Sequence, residues 1–315
     1  MKLKIGAEIK AKPFLKWAGG KTQLLSTIDF YLPESFRKEK RVTYIEPFVG
    51  GGAMLFFMLQ KYPNIKKAVI NDINPHLIKT YTIIRDSPYL LIDKLAELQE
   101  IFRTTGDYEA QKELFLAIRS RFNQGGYTDI EEASFMIFLN RTCFNGLYRE
   151  NSKGEFNVPF GKYSNPTICD ESLILADSNL LQNVEILNGD FAYTGEYVDG
   201  YTFFYFDPPY RPLDSTSSFN SYVKEAFDDK EQIRLKNFYQ TLSAEGCKEM
   251  LSNSDCKGRN EDDDFLDRIY HDFYIERVFA KRNINANVSK RGTLTELLIR
   301  NYKNYQGSST NLFNL

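Results

Sequence analysis

The chain is poor in residues that bind metals. Its 315 residues include only two histidines, His76 and His271, and no two of its four cysteines form a C-x-x-C pair. A zinc site needs three or four ligands, and structural sites draw them from closely spaced cysteines and histidines. The sequence therefore predicts no metal site and four reduced thiols.

Long apolar segments are also missing. No uninterrupted apolar run reaches the roughly 18 residues that a membrane-spanning helix needs. Residues 1–10 lack the apolar stretch of a signal peptide. We therefore expect a cytoplasmic protein with no membrane contact.

A large net charge is absent as well. The formal charge is −2 and the isoelectric point about 5.9, which argues weakly against a nucleic-acid partner. However, residues 1–41 hold ten Lys/Arg against four Asp/Glu, and residues 281–303 hold six against one. This separation favours one basic face on an acidic molecule, although ordinary solvated surface is an alternative.

What is present is a set of short apolar runs, each followed by a turn signal. They cover residues 42–46, 67–70, 184–187 and 201–206. Such runs are typical of buried strands, and the helix-forming stretch 53–60 lies between the first two. The order strand, glycine turn, helix, strand predicts a βαβ unit and hence an α/β fold with a parallel sheet.

The middle of the chain has a different pattern. Residues 90–102, 113–122 and 131–139 have helical spacing, and a Gly/Asn-rich stretch follows at 140–163. Its centre, Asn151-Ser-Lys-Gly154, predicts a hairpin turn between 147–149 and 156–158. We expect a helical domain at 87–178, inserted between two parts of a catalytic domain at 1–86 and 179–305, and a mobile tail at 306–315.

Three glycines, Gly50 to Gly52, follow the first predicted strand, where they let the backbone approach a ligand. Asp72 ends the second strand, and its spacing matches the acidic residue that binds ribose hydroxyls in dinucleotide folds. The G-x-G-x-x-G pattern fails because Leu55 replaces the third glycine. A nucleoside without pyrophosphate therefore fits better, which favours S-adenosylmethionine over NAD; a plain turn with a solvated Asp72 remains an alternative.

A second glycine motif imitates a phosphate-binding loop. Gly19-Gly-Lys21-Thr22 has the end of the G-x-x-x-x-G-K-[ST] pattern, but Leu15 stands where its first glycine is required. The sequence thus argues against a Walker-type NTPase.

The tetrapeptide Asp207-Pro208-Pro209-Tyr210 directly follows the apolar run 201–206. Two prolines cannot continue a sheet, so we expect a fixed turn that projects Asp207 and Tyr210 into the crevice at the strand ends. This set suits methylation of the exocyclic amine of a base rotated out of a duplex. The ring stacks on the base, while the carboxylate and a proline carbonyl accept from its NH2 group. A chance turn is the alternative for the tetrapeptide alone.

Taken together, these segments resemble the Dam-type DNA adenine N6-methyltransferases. Seven stretches occur in that family's order and cover most of the chain: 13–21, 46–52, 71–74, 139–149, 154–163, 189–191 and 207–210. The resemblance implies a Rossmann-like, S-adenosylmethionine-dependent methyltransferase sheet with an inserted helical target-recognition domain that carries a β-hairpin. It also implies methyl transfer to adenine N6 in double-stranded DNA.

The resemblance assigns roles to individual residues. Asp207, Pro208 and Tyr210 are the expected catalytic residues. The expected cofactor contacts are Trp17, Lys21, Phe48, Gly50, Asp72, Asp190 and Asp207. The expected DNA contacts are Lys16, Asn145, Leu147, Arg149 and Pro159.

In that family the residue matching Arg149 reads guanine within GATC. A guanidinium is bidentate toward guanine O6 and N7, which gives about 1–3 kcal/mol of discrimination. Leu147 and Pro159 match positions of apolar base contacts, and Phe144 stands where some members have tyrosine. We expect GATC or a longer GAT-containing site; a core role for Trp17 and a phosphate or surface role for Arg149 remain alternatives.

Other functions stay open at this point. Amino methylation of cytosine N4, RNA or a glutamine amide is the nearest rival, followed by a nicotinamide-dependent oxidoreductase and a non-catalytic DNA-binding module. We expect a monomer, and a cognate restriction endonuclease as a further partner is left open.

Overall fold

The computed structural model describes residues 10–17, 19, 21–212, 227–280 and 294–303. Within these residues the chain forms seven strands around which the helices pack. The strands are β1 (Val42–Glu46), β2 (Ile65–Asp72), β3 (Val184–Asn188), β4 (Tyr201–Phe206), β5 (Lys248–Ser254), β6 (Tyr274–Ala280) and β7 (Leu294–Arg300).

Eleven α-helices and two 3-10 helices are found in the same part of the chain. The α-helices are α1 (Leu25–Tyr31), α2 (Glu34–Lys38), α3 (Ala53–Lys61), α4 (Pro75–Asp86), α5 (Pro88–Thr104), α6 (Tyr108–Gln124), α7 (Asp129–Thr142), α8 (Glu171–Leu181), α9 (Asp229–Ala244), α10 (Cys256–Arg259) and α11 (Phe265–Ile269). The 3-10 helices cover Phe144–Gly146 and Phe191–Tyr197.

The sheet has the order β3-β2-β1-β4-β5-β7-β6. β1 to β5 pair in parallel, whereas β7 runs antiparallel to both β5 and β6. The order 3-2-1-4-5 is that of a doubly wound α/β fold. The predicted α/β class with a parallel sheet and its first βαβ unit, β1-α3-β2, is therefore confirmed.

All four predicted strands are present. β1 and β4 have the predicted bounds, β2 extends two residues further at each end, and β3 is longer by one residue. In β4, Phe203 and Tyr205 join the core on one face of the sheet, and Phe204 and Phe206 join the core on the other. A strand covered on both faces is apolar at every position, which explains why these runs were recognisable.

The predicted middle helices are also present, as α5, α6 and α7, each extending beyond its predicted bounds. Their buried side chains, such as Phe102 and Phe138, belong to the same core cluster as Tyr44 and Phe203 of the sheet. The predicted boundary at 178 falls inside α8 (Glu171–Leu181). The division at 87 and 178 thus stays a prediction, and a boundary at 178 would cut a helix.

The predicted hairpin turn forms at Asn151–Gly154, where Gly154 N donates to Asn151 O at 2.9 Å. Its arms form two isolated bridges, Glu150 with Phe156 and Cys143 with Phe160, together with single backbone hydrogen bonds such as Asn157 N to Arg149 O at 3.0 Å, instead of a regular ladder. The reason is local. Asn123 of α6 accepts from Phe156 N at 2.9 Å and donates to Phe156 O at 3.0 Å, so the hairpin is fastened to the helix instead of to a further strand.

Two of the sequence predictions concern residues that the structure does not describe. The tail 306–315 and residues 281–293 of the basic stretch lie outside the described residues. In the described part of the chain no helix is long and apolar enough to cross a membrane, and no cluster of three His, Cys, Asp or Glu side chains is suited to a metal ion. All four cysteines are free.

Candidate active site

The parallel strands bring their carboxyl ends to one edge of the sheet. Glu46 ends β1, Asp72 ends β2 and Asp207 follows β4. Because β7 runs in the opposite direction, its beginning lies at the same edge, where Glu296 pairs with Ser254 at the end of β5. The sheet thus collects four acidic side chains from distant parts of the sequence.

The glycine turn and Asp72 form one unit. Gly50 N donates to Asp72 Oδ2 at 3.1 Å, and Asn74 N donates to Oδ1 at 3.0 Å. Burial raises the pKa of Asp72, while these backbone N–H groups oppose the rise. Each carboxylate oxygen keeps a further lone pair with which it can accept from a ribose hydroxyl.

The turn has no room for larger residues. Gly52 has a φ of 76°, and a Cβ there would collide with the Tyr81 hydroxyl, which donates to Gly50 O at 3.0 Å. A Cβ at Gly50, whose φ is 48°, would lie 3.0 Å from the Trp17 ring. Glycine is therefore required at both positions for two reasons: the φ angles are positive, and the side chains of Tyr81 and Trp17 pack closely against the turn.

The exit of β3 joins the glycine turn through Asn71. Its amide donates to Pro47 O and to Gly189 O, both at 3.0 Å. This places Asp190 beside the turn. Phe48 packs there as well, with its ring 5.3 Å from that of Phe191.

Asp190 is already paired. Arg234 of α9 donates to its two carboxylate oxygens at 2.9 and 2.6 Å, and the ion pair lowers the pKa of Asp190. The same guanidinium lies 4.0 Å from the centroid of the Phe191 ring. A cofactor role for Asp190 stays a prediction, and the structure shows only that Arg234 holds its carboxylate.

Asp207, the first residue after β4, lies among polar side chains. Lys21 Nζ lies 3.0 Å from Asp207 Oδ1, and Ser252 Oγ donates to the same atom at 3.3 Å. Burial raises the pKa of Asp207 to about 6, and Lys21 opposes this rise. At neutral pH the carboxyl group is therefore ionised and accepts hydrogen bonds.

Tyr210 lies against the same lysine. Lys21 Nζ is 4.1 Å from the centroid of its ring, and the Tyr210 hydroxyl donates to Glu296 Oε2 at 2.7 Å. Lys21, which is only 6% exposed, also lies 3.7 Å from Glu296 Oε2. We call Lys21, Asp207, Tyr210 and Glu296 the lysine cluster.

Side chains of α9 and β5 hold the turn through Pro208 and Pro209 by hydrogen bonds. Gln232 of α9 donates to Pro209 O at 3.1 Å and accepts from Asn253 at 3.1 Å. Asn253 accepts from Arg211 N at 3.2 Å. Among the described residues none donates to the Pro208 carbonyl.

Glu46 supplies a second carboxyl group at this edge. It accepts from the Tyr44 hydroxyl at 2.5 Å and is 2% exposed. Burial, with a smaller contribution from the charge of Asp207, raises its pKa to about 8. Glu46 is thus mostly neutral at pH 7, in contrast to Asp207.

Trp17 links the glycine turn to residues 144–149, which hold three of the predicted DNA contacts and which we call the recognition segment. Its ring contacts Gly50 and Gly51 and stacks on Tyr148, with centroids 5.1 Å apart and planes inclined by 23°. Its neighbour Lys16 is exposed, with Nζ 5.0 Å from the centroid of the Tyr163 ring.

The predicted DNA contacts lie close together in the chain's fold. Asn145, Leu147, Arg149 and Pro159 are all exposed, as is Lys16. Phe144, which is 52% exposed, donates its backbone N–H to Pro159 O at 2.9 Å and so holds the two segments together. Asn145 has a φ of 57°, the only positive value of a non-glycine residue in the described part of the chain.

Arg149 is held in place before any ligand arrives. Its Nε donates to Asn157 Oδ1 at 2.7 Å, and its Nη2 donates to Asn157 O at 3.3 Å. A guanidinium fixed in this way has less conformational entropy to lose when it binds.

Several site residues were missed by sequence reasoning, namely Glu296, Ser252, Gln232, Asn253 and Arg234. None belongs to one of the seven stretches. A signal existed only for Glu296, because it is an acidic residue inside the apolar run Leu294-Thr-Glu-Leu-Leu-Ile. A charge in a buried strand indicates a paired or functional group.

Comparison with known proteins gives a consistent result. The family model of D12 class N6 adenine-specific DNA methyltransferases matches residues 17–284. The chain is 48% identical over 297 residues to type II methyltransferase M.MjaIII of Methanocaldococcus jannaschii, covering 93% of this chain and 100% of that protein. It is 39% identical over 302 residues to type II methyltransferase M1.LlaDCHI of Lactococcus lactis subsp. cremoris, covering 94% and 98%.

The DNA adenine methylase of Vibrio cholerae is 32% identical over 247 residues, which cover 78% of this chain and 82% of that protein. The family model and these relatives all span most of the chain, so the resemblance predicted from the motifs is confirmed. The chain belongs to the D12 class of N6 adenine-specific DNA methyltransferases.

Proposed function

We propose that the chain transfers a methyl group from S-adenosylmethionine to N6 of an adenine flipped out of double-stranded DNA. One observation carries this proposal above the others. Asp207 and Tyr210 meet at the carboxyl edge of the sheet, next to the glycine turn and Asp72, and Lys21 touches both of them. A carboxylate and a ring at this place are suited to a flipped amino-base.

The residues around the glycine turn fit S-adenosylmethionine. Asp72 has lone pairs for the ribose hydroxyls, the backbone at Gly50 is open to close approach, and Phe48 and Trp17 offer apolar surface. The bound cofactor supplies a methyl group on a sulfonium centre. Asp190 contributes near the cofactor's adenine through a carboxylate that Arg234 holds.

Adenine N6 is a weak nucleophile because its lone pair is delocalised into the ring. Asp207 and the Pro208 carbonyl accept hydrogen bonds from the two N6 hydrogens, which favours the tetrahedral nitrogen of the transition state. Lys21 contacts Asp207 Oδ1, and the carboxylate keeps further lone pairs with which it accepts from the amine. After transfer the extra proton leaves N6 for Asp207 or for water.

Extrusion of the base costs a few kcal/mol of stacking and pairing. Stacking on Tyr210 returns about 1–3 kcal/mol. The ring therefore offsets much of that cost and holds the base at the donor long enough to react.

We propose that the exposed recognition residues read GATC or a longer GAT-containing site. Arg149 is bidentate to a guanine, while Leu147 and Pro159 make apolar base contacts. Lys16 and Asn145 lie beside them and contact the same DNA. In this arrangement the enzyme acts on DNA as a monomer.

Two relatives are named type II methyltransferases, which supports a role beside a restriction endonuclease. Membership in an adenine-specific DNA family disfavours cytosine N4, RNA and glutamine as substrates. It equally disfavours a nicotinamide-dependent oxidoreductase and a non-catalytic DNA-binding module.

Single-molecule sequencing of DNA from a methylation-deficient host that expresses this chain tests the proposal. We expect N6-methyladenine at nearly every copy of one GAT-containing sequence, and none in the same host with an empty vector. Unmodified DNA, or methylation at cytosine N4, would contradict the proposed reaction; N6-methyladenine in a sequence without GAT would contradict only the proposed recognition.

A further inference from the structure

Glu296 is an acidic side chain at the active-site edge that belongs to none of the seven family stretches. It is the third residue of β7, and its side chain is 12% exposed. Because β7 is antiparallel to β5, this early position reaches the edge at which Asp207 leaves β4. β7, which runs in the direction opposite to the parallel strands, thus contributes a carboxylate to the site.

Glu296 contacts two members of the lysine cluster through one oxygen. Its Oε2 accepts from the Tyr210 hydroxyl at 2.7 Å and lies 3.7 Å from Lys21 Nζ. The same ammonium lies 3.0 Å from Asp207 Oδ1. The ring that stacks on the base and the cation that contacts Asp207 are therefore both tied to one carboxylate.

We propose that Glu296 is a positioning residue for methyl transfer, which fixes the Tyr210 ring and the Lys21 ammonium so that ring and Asp207 meet the target amine together. This inference rests on the proposed function. The physical reason is that a lysine ammonium on its flexible stem, and a tyrosine ring in an open recess, have several accessible orientations. A hydrogen bond to a charged acceptor selects one of them.

The charge of Glu296 also acts on Asp207. Burial is the main cause of the raised pKa of Asp207, Lys21 opposes it, and Glu296 adds to it. In the described residues the titratable groups that interact with Asp207 are Lys21, Glu296, Glu46, Tyr44, Tyr205 and Tyr210. Removal of the Glu296 charge therefore lowers the pKa of Asp207, an effect that a purely structural residue of β7 would not have.

A double-mutant cycle tests the inference. Glu296→Gln and Tyr210→Phe should each lower kcat/KM for duplex DNA roughly tenfold, because the first replaces the charged acceptor of the Tyr210 hydroxyl by a neutral amide and the second removes the donor. The double variant should have a kcat/KM little below that of the less active single variant, since both changes act on the same charge-assisted hydrogen bond. Glu185→Gln, an exposed strand residue of β3, is the matched control and should behave as wild type.

The pH profile is the second readout. In Glu296→Gln the acid limb of kcat/KM should move to lower pH, and in Glu185→Gln it should stay in place. Effects that multiply in the double variant, or an acid limb that does not move in Glu296→Gln, would overturn the inference.

The inference can still be tested if Glu296→Gln is less stable than wild type. If Glu296→Gln melts at a clearly lower temperature than wild type, Tyr210→Phe still breaks the bond without a change in β7, and unchanged kcat/KM in that variant contradicts the inference. Failure of the proposed function is seen separately, as a wild-type enzyme that places no methyl group on adenine.

Discussion

Asp207 must carry a negative charge at a position that disfavours charge. Burial raises its pKa to about 6, and Lys21 at 3.0 Å is the main influence in the other direction. The carboxylate is thus ionised at neutral pH, yet only weakly solvated, so it accepts strongly from an amine. Glu46, with a pKa of about 8, stays mostly neutral nearby and does not add a second full charge at pH 7.

At the same scale, the ring of Tyr210 and its hydroxyl have separable effects. Tyr210→Phe keeps the ring and loses only the bond to Glu296. Tyr210→Ala also loses base stacking, which contributes about 1–3 kcal/mol. We therefore expect Tyr210→Ala to have a kcat/KM about ten- to hundredfold below that of Tyr210→Phe, measured with the same duplex. Equal kcat/KM values for the two variants would show that the ring does not hold the base.

At the scale of elements, one asparagine of α7 joins two functional segments. Asn140, which is 1% exposed, accepts from Lys16 N and donates to Lys16 O and Gly146 O, each at 2.9 Å. Lys16 precedes Trp17 at the glycine turn, and Gly146 belongs to the exposed recognition segment. One buried amide thereby fixes the segment of the predicted cofactor contact Trp17 relative to the segment of the predicted DNA contacts.

Asn140→Ala should leave these three backbone groups without their partner. Each buried unsatisfied group costs about 1–3 kcal/mol, so chemical denaturation should show a clear loss of stability. Binding of specific duplex DNA, measured by fluorescence anisotropy, should weaken as the recognition segment loosens. The matched control Asn183→Ala removes an exposed asparagine and should change neither quantity; wild-type stability and affinity in Asn140→Ala would refute the joining role.

At the scale of the whole molecule, the sequence predicted the parts of the fold whose signals are local. β4 is a continuous apolar run because both of its faces are covered, β1 to β3 contain shorter apolar stretches, and each of the four is followed by a recognisable turn. β5 was not recognised because Ser252 and Asn253 are buried polar residues that interrupt its pattern. The position of β7 depends on its reversed direction in the sheet, which no periodicity reveals.

The candidate site also has a part that local sequence signals predicted and a part that they did not. Its motif residues stand at turns that follow strands, so Asp72, Asp207 and Tyr210 were predictable from their places in the chain. The pairs Asp190 with Arg234 and Lys21 with Asp207 join residues far apart in sequence, and only the folded sheet brings them together. The partners that set the charge and orientation of the motif residues were therefore unpredictable.

The central claim is that Asp207 and Tyr210 hold the amine of an extruded adenine beside the methyl donor. Single-turnover methylation of one duplex by wild type and Asp207→Ala, combined with calorimetric titration of S-adenosylmethionine, tests it most directly. We predict that the substitution lowers the transfer rate by about a hundredfold or more, while the affinity for the cofactor is largely kept. A wild-type transfer rate in Asp207→Ala would contradict the account.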